Sequence, residues 1–230
     1  SIFVNPLQFG ANEDLSAYPR TLKADRESLE AENCDCLFLP STEEIYGDSL
    51  EQQTTIKVPG LTDNFCGSSR PGHFDGVATV VTKLFNIVQP HAAFFGLKDY
   101  QQFLVIRKLT QDLALDIAIH GIETHREDSG LAMSSRNSYL SEEQRQQATH
   151  LYNCLRDCAE QISAGNNDFE KLEKSAKKAL QKASLKPDYF QICTADTLTP
   201  PVSATSHFPI LAAVFVGKSR LIDNIRFTRS

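Results

Sequence analysis

The feature that most constrains the fold is an alternation of helix-like and strand-like segments between residues 73 and 119. Apolar residues recur every three or four positions from 74 to 88, which predicts an amphipathic helix that ends before Pro90. Residues 92–95 form a short apolar run that Gly96 interrupts, helical spacing resumes over 100–113, and residues 115–119 alternate as in a strand. Segments in this order predict a parallel sheet with helices on its faces, an α/β fold.

Two earlier apolar runs, at residues 1–5 and 36–39, predict further strands of the same sheet, with a helix over 21–33 between them. Residues 41–72 are rich in Gly, Pro, Ser and Thr, which predicts loops with one short strand at 55–58. Because the first run begins without any lead-in, we expect that residues upstream of it have been lost or removed.

The pattern changes after residue 137. Ser141 and Gln144 have the spacing of a capping box, which predicts a helix that starts there and ends near Gly165, and a second helix begins near Asp168. Strand candidates follow at 189–193, 210–216 and 220–225, with a tight turn at Gly217 between the last two. We therefore expect a larger domain over residues 1–137 and a smaller α+β domain over 138–230.

Charge and apolar content exclude several classes of protein. A formal net charge of −6 provides no general attraction to phosphate backbones and argues against a nucleic-acid partner. The longest apolar runs, such as 208–216, are far shorter than the ~20 residues of a membrane helix, so no membrane partner is expected. The six cysteines include no C-x-x-C pair, which favours small buried side chains in a reduced cytosol over a metal site.

In an open parallel sheet, ligands bind beyond the carboxyl ends of the strands, and polar clusters follow two of the predicted strands. The first cluster contains Asn5 and Gln8, whose amides suit a ligand with hydroxyl and carboxylate groups. A plain turn capped by Asn5 and Gly10 explains the same residues.

The second cluster contains Gly96, Lys98, Asp99 and Gln102. Gly96 permits a ligand to approach the backbone, the N-terminus of the next helix attracts anions, and Lys98 adds a full positive charge. Asp99 can accept hydrogen bonds from ribose hydroxyls, while Lys98 and Gln102 share a helix face. A surface helix start with a solvated Lys-Asp pair is the alternative.

A third cluster, residues 131–137, brings Ser134, Ser135 and Arg136 together on a loop. Two hydroxyls and a guanidinium can hold several phosphate oxygens and stabilise a leaving pyrophosphate, although a polar loop between domains has the same composition. Tyr18, Arg70 and His73 are weaker candidates, because turns and helix starts use the same residues.

Taken together, the clusters resemble the pantothenate synthetase family in order and spacing. The motifs that carry the resemblance span the whole chain: residues 3–10 (FVNPLQFG), 18–21 (YPRT), 70–74 (RPGHF), 98–102 (KDYQQ), 130–137 (GLAMSSRN) and 220–225 (RLIDNI).

The resemblance implies a Rossmann-like domain of the class I nucleotidylyltransferase type over residues 1–137 and a C-terminal α+β lid domain over 138–230. It also implies a cytoplasmic homodimer that requires ATP and Mg²⁺. In the family's reaction, pantoate attacks ATP to form pantoyl adenylate and pyrophosphate. The amine of β-alanine then attacks the acyl carbon and releases AMP and pantothenate.

The resemblance also assigns residues to roles, and no metal ligand is among them. Gln8 and Gln102 match pantoate-binding positions, and Gln8 also borders the β-alanine site. Arg70 and His73 match cleft-lining positions, and Asn5 and Tyr18 are further candidate site residues. ATP-binding positions correspond to Gly96, Leu97, Lys98, Asp99, His125, Met133, Ser134, Ser135 and Arg136. Of these, Lys98, Ser134, Ser135 and Arg136 are the expected catalytic residues, and His125 matches a position where the family uses its backbone on adenine.

The chain departs from the family pattern at two points. Leu97 stands where Glu or Lys is common. The family's His-x-Gly-His stretch, which precedes the Phe-Val-Asn-Pro motif and includes the residue usually assigned as proton donor, has no counterpart in these residues. We therefore expect this polypeptide to be weakly active or inactive as a ligase.

Three other hypotheses fit parts of the pattern. The first hypothesis is an adenylyl- or cytidylyltransferase that acts on another carboxylate. The second is a non-catalytic fragment that binds nucleotide or dimerises. The third, a nucleic-acid module related to tRNA synthetases, is disfavoured by the net charge.

Overall fold

A computed structural model describes residues 1–10, 15 and 18–229 of the chain. These residues form two compact units, the first made of Ser1–Ala92 and Val105–Ala118 and the second of Ala93–Leu104 and Ile119–Ser230. The predicted division between residues 137 and 138 stays a prediction.

The first unit contains helices α1 (Leu22–Ala31), α2 (Thr42–Tyr46), α3 (Cys66–Ser69) and α4 (His73–Val88). The predicted stripe of α4 is confirmed as far as Phe85, because Phe74, Val77, Val81 and Phe85 are buried, whereas Val88 at the end of the helix is exposed. Helix α4 packs against a 3₁₀ turn at Pro6–Gln8 near the start of the chain. This contact places the first polar cluster on a long, well-packed helix.

The predicted strands at residues 1–5, 36–39 and 55–58 are wrong, because those residues form no strand in the structure. One backbone hydrogen bond, from Ile2 N–H to Phe38 O at 3.0 Å, joins the first two segments. An apolar run shows only that a segment tends to be buried, whereas a strand also needs a neighbour with a repeating set of donors and acceptors. The loops predicted over 41–72 contain α2 and α3, and α2 starts with a capping box formed by Ser41 and Glu44.

The predicted strand–helix–strand order over 92–119 is confirmed, although the second strand begins at Ala118 and not at residue 115. Strand β1 (Ala92–Gly96) leads through a 3₁₀ turn at Leu97–Asp99 into helix α5 (Tyr100–Asp112), and strand β2 (Ala118–Ile122) follows. The two strands pair in one parallel sheet. The turn between β1 and α5 therefore stands at the carboxyl end of a parallel strand, where ligands bind in such sheets.

The C-terminal part of the second unit is α+β, as predicted. Helix α6 (Glu142–Ser163) begins at the predicted capping box, and helix α7 (Phe169–Lys182) follows it. Strands β3 (Lys186–Ile192), β4 (His207–Val216) and β5 (Ser219–Thr228) form an antiparallel sheet in that order, with the predicted hairpin between Val216 and Ser219. One continuous core joins the two helices to the sheet, so β5 has a rigid base.

Candidate active site

The first polar cluster is built around a buried asparagine. Asn5 precedes the 3₁₀ turn Pro6–Gln8, its side chain accepts the Leu7 N–H, and only 2% of the residue is exposed. Pro6 suits the first position of such a turn, because the missing N–H leaves no donor unsatisfied. Burial of Asn5 means that its amide organises the turn and does not offer a free surface to a ligand.

All four hydrogen-bonding positions of the Asn5 amide are occupied. Its Oδ1 accepts from the Tyr46 hydroxyl at 2.7 Å and from Leu7 N–H at 3.2 Å. Its Nδ2 donates to the Gly76 carbonyl at 3.1 Å and to Gln8 Oε1 at 3.2 Å. A fully satisfied buried amide holds one orientation, so Asn5 joins the turn to α2, α4 and the Gln8 side chain.

Helix α4 approaches the turn so closely that residue 76 has no room for a side chain. A Cβ atom on Gly76 would lie 2.4 Å from Leu7 O and 2.8 Å from Gln8 N. Both are backbone atoms, which cannot rotate away. The contact between the Leu7–Gln8 peptide and α4 therefore requires glycine.

Arg70 and His73 hold the backbone of Gln8. The Gln8 carbonyl accepts from Arg70 Nη2 at 3.2 Å and from His73 Nδ1 at 2.8 Å. His73 Nε2 lies 3.0 Å from Arg70 Nη1, which can only donate, so a neutral His73 with its proton on Nδ1 satisfies both contacts. Both residues thus contact the Gln8 backbone and join the Gln8 cluster, although in the sequence they form a separate candidate motif.

Tyr18 and the Arg70 side chain lie at the borders of this cluster. The Tyr18 ring packs edge-on against Phe9, with ring centroids 5.6 Å apart. Arg70 lines a cavity of about 340 Å³ together with Lys57, Asp63 and Asp75. The volume suits a small molecule, and the lining carries both signs of charge.

The second and third clusters meet in one pocket of the second unit. Lys98, Ser134 and Arg136 line this pocket together with Asn137 and Asp223. Its volume is about 20 Å³, which is room for about one water molecule. Three cationic residues, Lys98, Arg136 and Arg220, line this space with the Ser134 hydroxyl and only one carboxylate, that of Asp223, and this excess of positive charge favours an anion.

The backbone of the turn that carries Lys98 is hydrogen-bonded to strand β5. Lys98 follows β1 and precedes α5, its side chain is 20% exposed, and its Nζ lies 3.9 Å from Asp99 Oδ2. Asn224 Nδ2 on β5 donates to the carbonyls of Leu97 and Lys98 at 2.8 and 2.9 Å. A buried amide donor thus fixes the peptide that carries the lysine.

Asn224 is itself next to a buried ion pair. Arg126 Nη1 and Nη2 donate to the two carboxylate oxygens of Asp223 at 2.7 and 2.9 Å, and the Arg126 guanidinium stacks on the Tyr152 ring at 3.8 Å. Burial raises the pKa of Asp223 above its ordinary value, although Arg126, the Asn224 N–H and Lys98 oppose the shift. The pair braces the strand that holds the Lys98 turn.

The phosphate-gripping loop predicted from sequence is a 3₁₀ turn, Ser135–Tyr139, with Ser134 as its cap. Ser134 Oγ accepts the Arg136 N–H at 3.2 Å. Sequence reasoning missed Asn137, which is 5% exposed and donates from Nδ2 to Glu127 Oε1 and Ala132 O. Within the described residues, Asn137 Oδ1 is a buried acceptor with no protein donor, which marks it as a candidate ligand-binding atom.

The remaining predicted residues lie on the same elements without lining the pocket. Gly96 ends β1 with an ordinary φ of −66° and open space at its Cβ position, Leu97 is buried, and Gln102 is half-buried on α5. His125 is exposed and its carbonyl accepts the Met133 N–H at 3.0 Å, while Met133 and Ser135 are exposed.

The structure therefore groups the predicted residues into two sets. Asn5, Gln8, Arg70 and His73 form one set in the first unit, and Lys98, Ser134 and Arg136 form the other in the second unit. The predicted convergence of Gln8, Gln102, Lys98 and Ser134 on one crevice stays a prediction. Among the described residues no cluster of three or more His, Cys, Asp or Glu side chains could hold a metal ion, and no helix there is long and apolar enough to cross a bilayer.

Comparison with known proteins gives consistent results. The sequence profile of the family described as pantoate-beta-alanine ligase matches residues 1–226. A pantothenate synthetase of Idiomarina loihiensis is 54% identical over 230 residues, which cover 100% of this chain and 82% of the relative. One from Hahella chejuensis is 56% identical over 225 residues, with coverage of 98% and 80%.

Solved structures agree with the sequence relatives. Pantothenate synthetase from Thermus thermophilus superposes with a TM-score of 0.92 at 42% identity, over 97% of this chain and 81% of the other. Pantoate-beta-alanine ligase from Francisella tularensis, complexed with beta-gamma ATP and beta-alanine, superposes with a TM-score of 0.77 at 34% identity, over 97% and 77% of the two chains. These likenesses confirm the predicted class, an α/β nucleotidylyltransferase-type fold with a C-terminal α+β domain.

Proposed function

This chain belongs to the pantoate–β-alanine ligase family, and we propose that it joins pantoate to β-alanine at the expense of ATP through a pantoyl-adenylate intermediate. The relatives that match 98–100% of this chain are pantothenate synthetases by name, and one solved pantoate-beta-alanine ligase is complexed with beta-gamma ATP and beta-alanine. The observation that carries the proposal for this chain is the pocket shared by Lys98, Ser134 and Arg136.

In the first step, a carboxylate oxygen of pantoate attacks the α-phosphorus of ATP. The bond from this phosphorus to the bridging oxygen breaks, and pyrophosphate leaves with the electron pair. Phosphoryl and nucleotidyl transfers of this kind ask little covalent chemistry of the protein, so positioning and charge stabilisation dominate. Lys98, Arg136 and the Ser134 hydroxyl supply the positive charge and the donor that a leaving pyrophosphate needs.

In the second step, the free amine of β-alanine attacks the acyl carbon of the adenylate. The carbon–oxygen bond to AMP breaks, AMP leaves with one of the two former carboxylate oxygens of pantoate, and the amine loses a proton. A carboxylate alone resists attack by an amine because its oxygen is a poor leaving group. Adenylation converts this oxygen into a good one, which explains why the reaction consumes ATP.

The resemblance implies Mg²⁺, and the donor set fits a metal carried by the nucleotide. Mg²⁺ prefers oxygen ligands and usually binds one or two protein groups plus substrate phosphates. Asn137 lines the Lys98 pocket and, within the described residues, its buried Oδ1 has no protein donor, while the Asp223 carboxylate is already occupied by Arg126. Asn137 would therefore hold the metal or its water, and the metal would supply charge neutralisation on the phosphates.

We assign the two substrates to the predicted glutamines. Gln8 and Gln102 bind pantoate, and Gln8 borders the β-alanine position. Gln8 is suited to this role because its backbone is fixed by Arg70 and His73 and its side chain by Asn5. Gly96, Leu97, Asp99, His125, Met133 and Ser135 complete the proposed ATP-binding stretch.

An isotope experiment tests the adenylate directly. Pantoate labelled with ¹⁸O in its carboxylate is incubated with Mg-ATP and β-alanine, and the separated products are analysed by mass spectrometry. The proposal requires AMP and pyrophosphate, with one ¹⁸O atom in the AMP phosphate. Formation of ADP and phosphate, or unlabelled AMP, contradicts an acyl adenylate.

Lys98→Ala and Arg136→Ala each remove a pocket cation and should slow adenylation at least tenfold, because one lost charge-assisted bond is worth about 1.5–3 kcal/mol.

The ligase turnover rate of the 230 residues assayed alone is expected to be low, because the His-x-Gly-His pattern does not occur among them. Calorimetry with pantoate and a non-hydrolysable ATP analogue therefore accompanies every assay and separates binding from turnover. Turnover equal to that of a variant extended by the upstream segment of a relative would contradict the expectation of low activity.

The proposal includes a homodimer in the cytoplasm. Light scattering on the purified chain tests the first part, and cell fractionation tests the second. A monomer at micromolar concentration, or recovery outside the cytoplasm, would correct that part without affecting the chemistry.

A further inference from the structure

The Gln8 amide has two ends, and its orientation decides what kind of atom it can recognise. The NH₂ end donates hydrogen bonds and the oxygen end accepts them. The two ends are nearly isosteric, so the hydrogen bonds around the side chain have to determine the orientation. In this chain, backbone groups with fixed donor and acceptor roles make that possible.

Two backbone groups determine the orientation of Asn5. The Leu7 N–H can only donate and lies 3.2 Å from one end of the Asn5 amide, which must be Oδ1. The Gly76 carbonyl can only accept and lies 3.1 Å from the other end, which must be Nδ2. The reversed amide would place donor against donor and acceptor against acceptor.

The orientation of Asn5 then determines that of Gln8. With one Nδ2 hydrogen on Gly76 O, the second hydrogen points to the Gln8 side chain at 3.2 Å. Gln8 must present its Oε1 to this hydrogen, so its NH₂ group faces away from Asn5. Among the described residues no hydrogen bond to Gln8 Nε2 is present, and Gln8 is partly exposed.

Tyr46 completes the arrangement on the opposite side. Its hydroxyl lies 2.7 Å from Asn5 Oδ1, which can only accept, so Tyr46 must donate. Tyr46 is 3% exposed, and burial raises its pKa to about 12, so the hydroxyl keeps its proton at every working pH. Of the four groups around the Asn5 amide, only this hydroxyl comes from a side chain outside the turn, and α2 places it there.

We propose that Tyr46 is a positioning residue: by donating to Asn5 Oδ1 it reinforces the amide orientation that the Leu7 N–H and the Gly76 carbonyl set, and so helps to hold Gln8 as a hydrogen-bond donor to an acceptor oxygen of the bound hydroxy acid. The proposal rests on the function proposed above, since it takes the ligand of Gln8 to be pantoate. It adds that this position selects a carboxylate or hydroxyl oxygen and rejects a group that can only donate, such as an ammonium.

Calorimetry on the full 230-residue chain tests the proposal with Mg²⁺ and α,β-methylene ATP present. Tyr46→Phe should raise the Kd for pantoate about three- to tenfold, the worth of one neutral hydrogen bond, and leave the Kd for the nucleotide within about twofold. Gln8→Glu should weaken pantoate by more than about tenfold, because a carboxylate cannot donate and repels the ligand's charge. Unchanged pantoate binding in either variant overturns the proposal, as does an equal loss of nucleotide and pantoate in Tyr46→Phe.

Thr110→Val is the matched control for loss of a buried hydroxyl. Thr110 is 5% exposed and its Oγ1 donates to Ile106 O at 2.8 Å, within α5. The Thr110→Val protein should bind pantoate with the Kd of the wild type. Thermal melts of Thr110→Val and Tyr46→Phe check that each variant is folded. A loss in Thr110→Val equal to that in Tyr46→Phe overturns the proposal, because general destabilisation would then explain both.

A second measurement separates this proposal from the proposed function. In amide hydrogen exchange by NMR without ligand, the Asn5 side-chain NH₂ should be protected, and the Gln8 NH₂ should exchange rapidly. If the wild type binds no pantoate but shows this pattern, the function assignment fails and the amide arrangement stands. Protection of the Gln8 NH₂ with a rapidly exchanging Asn5 overturns the arrangement itself.

Discussion

Replacement of Gly76 by alanine sets two effects of opposite sign against each other. Gly76 lies within α4, where alanine is favoured over glycine by about 0.5–1 kcal/mol. An ordinary helical position would therefore gain stability. At this position the new methyl group would lie 2.4 Å from Leu7 O, 2.6 Å from Leu7 C and 2.8 Å from Gln8 N.

The distances decide which effect dominates. Real Cβ atoms stay at least 3.0 Å from such neighbours, so Leu7 O must move by about 0.6 Å or more, and all three atoms are backbone. Overpacking of this kind costs about 1–3 kcal/mol, which exceeds the gain in helix propensity. We expect Gly76→Ala to lower the free energy of unfolding by about 1–2 kcal/mol. The shift also moves Gln8, and a displacement near 1 Å at a substrate-binding group can reduce function by up to about 10²-fold.

Urea unfolding followed by circular dichroism measures the first effect, and pantoate titration in the presence of a non-hydrolysable nucleotide measures the second. Asn86→Ala is the matched control, because Asn86 is exposed on the same helix and its replacement changes helix propensity alone. The control should be as stable as the wild type or slightly more so. A Gly76→Ala protein that is stabilised like the control and binds pantoate normally would refute the close approach of α4 to the turn.

Three further predictions concern the second unit. Arg126→Met leaves the Asp223 carboxylate buried without its partner and should cost about 3–5 kcal/mol in urea unfolding, whereas an exposed pair would cost less than about 1. Asn224→Leu removes both donors to the turn that carries Lys98, so nucleotide affinity should fall more than pantoate affinity in calorimetry; equal affinities would contradict its bracing role. Burial raises the pKa of Glu173 in the folded chain. The contribution of Glu173 to the free energy of unfolding is therefore greatest below its unfolded pKa of about 4.3 and is lost as the pH rises through its folded pKa. Glu173→Gln should remove this pH dependence from a series of thermal melts.

Elements with a local sequence signal were predicted well. The stripe of α4, the capping box that starts α6 and the turn between β4 and β5 each depend on residues within a few positions of one another. Short helices were missed for the opposite reason. Helix α2 has only five residues, too few for a periodic stripe, and its capping box at Ser41 lies in a segment with the composition of a loop.

The strands predicted at residues 1–5 and 36–39 show where local patterns mislead. Both runs are apolar enough for a buried strand, yet a single backbone bond joins them. Pairing depends on whether a partner with the right register is present, and the apolar pattern of one segment does not contain that information. The predictions of strands β3, β4 and β5 are confirmed, because each of these segments has a pairing partner in the antiparallel sheet.

The sequence alone determined which chemical groups this protein has at its turns: the amide of Gln8, the ammonium of Lys98, and the Ser134–Arg136 loop. Six longer motifs, three of which contain these groups, predicted the family. Only the tertiary structure decided which way the groups face and what holds them. Tyr46 and Gly76 act on Asn5 from 41 and 71 positions away in the chain, and Asn224 holds the Lys98 peptide from 126 positions away. A hydrogen-bond orientation is set by its partners in space, and folding brings these partners together from distant parts of the chain.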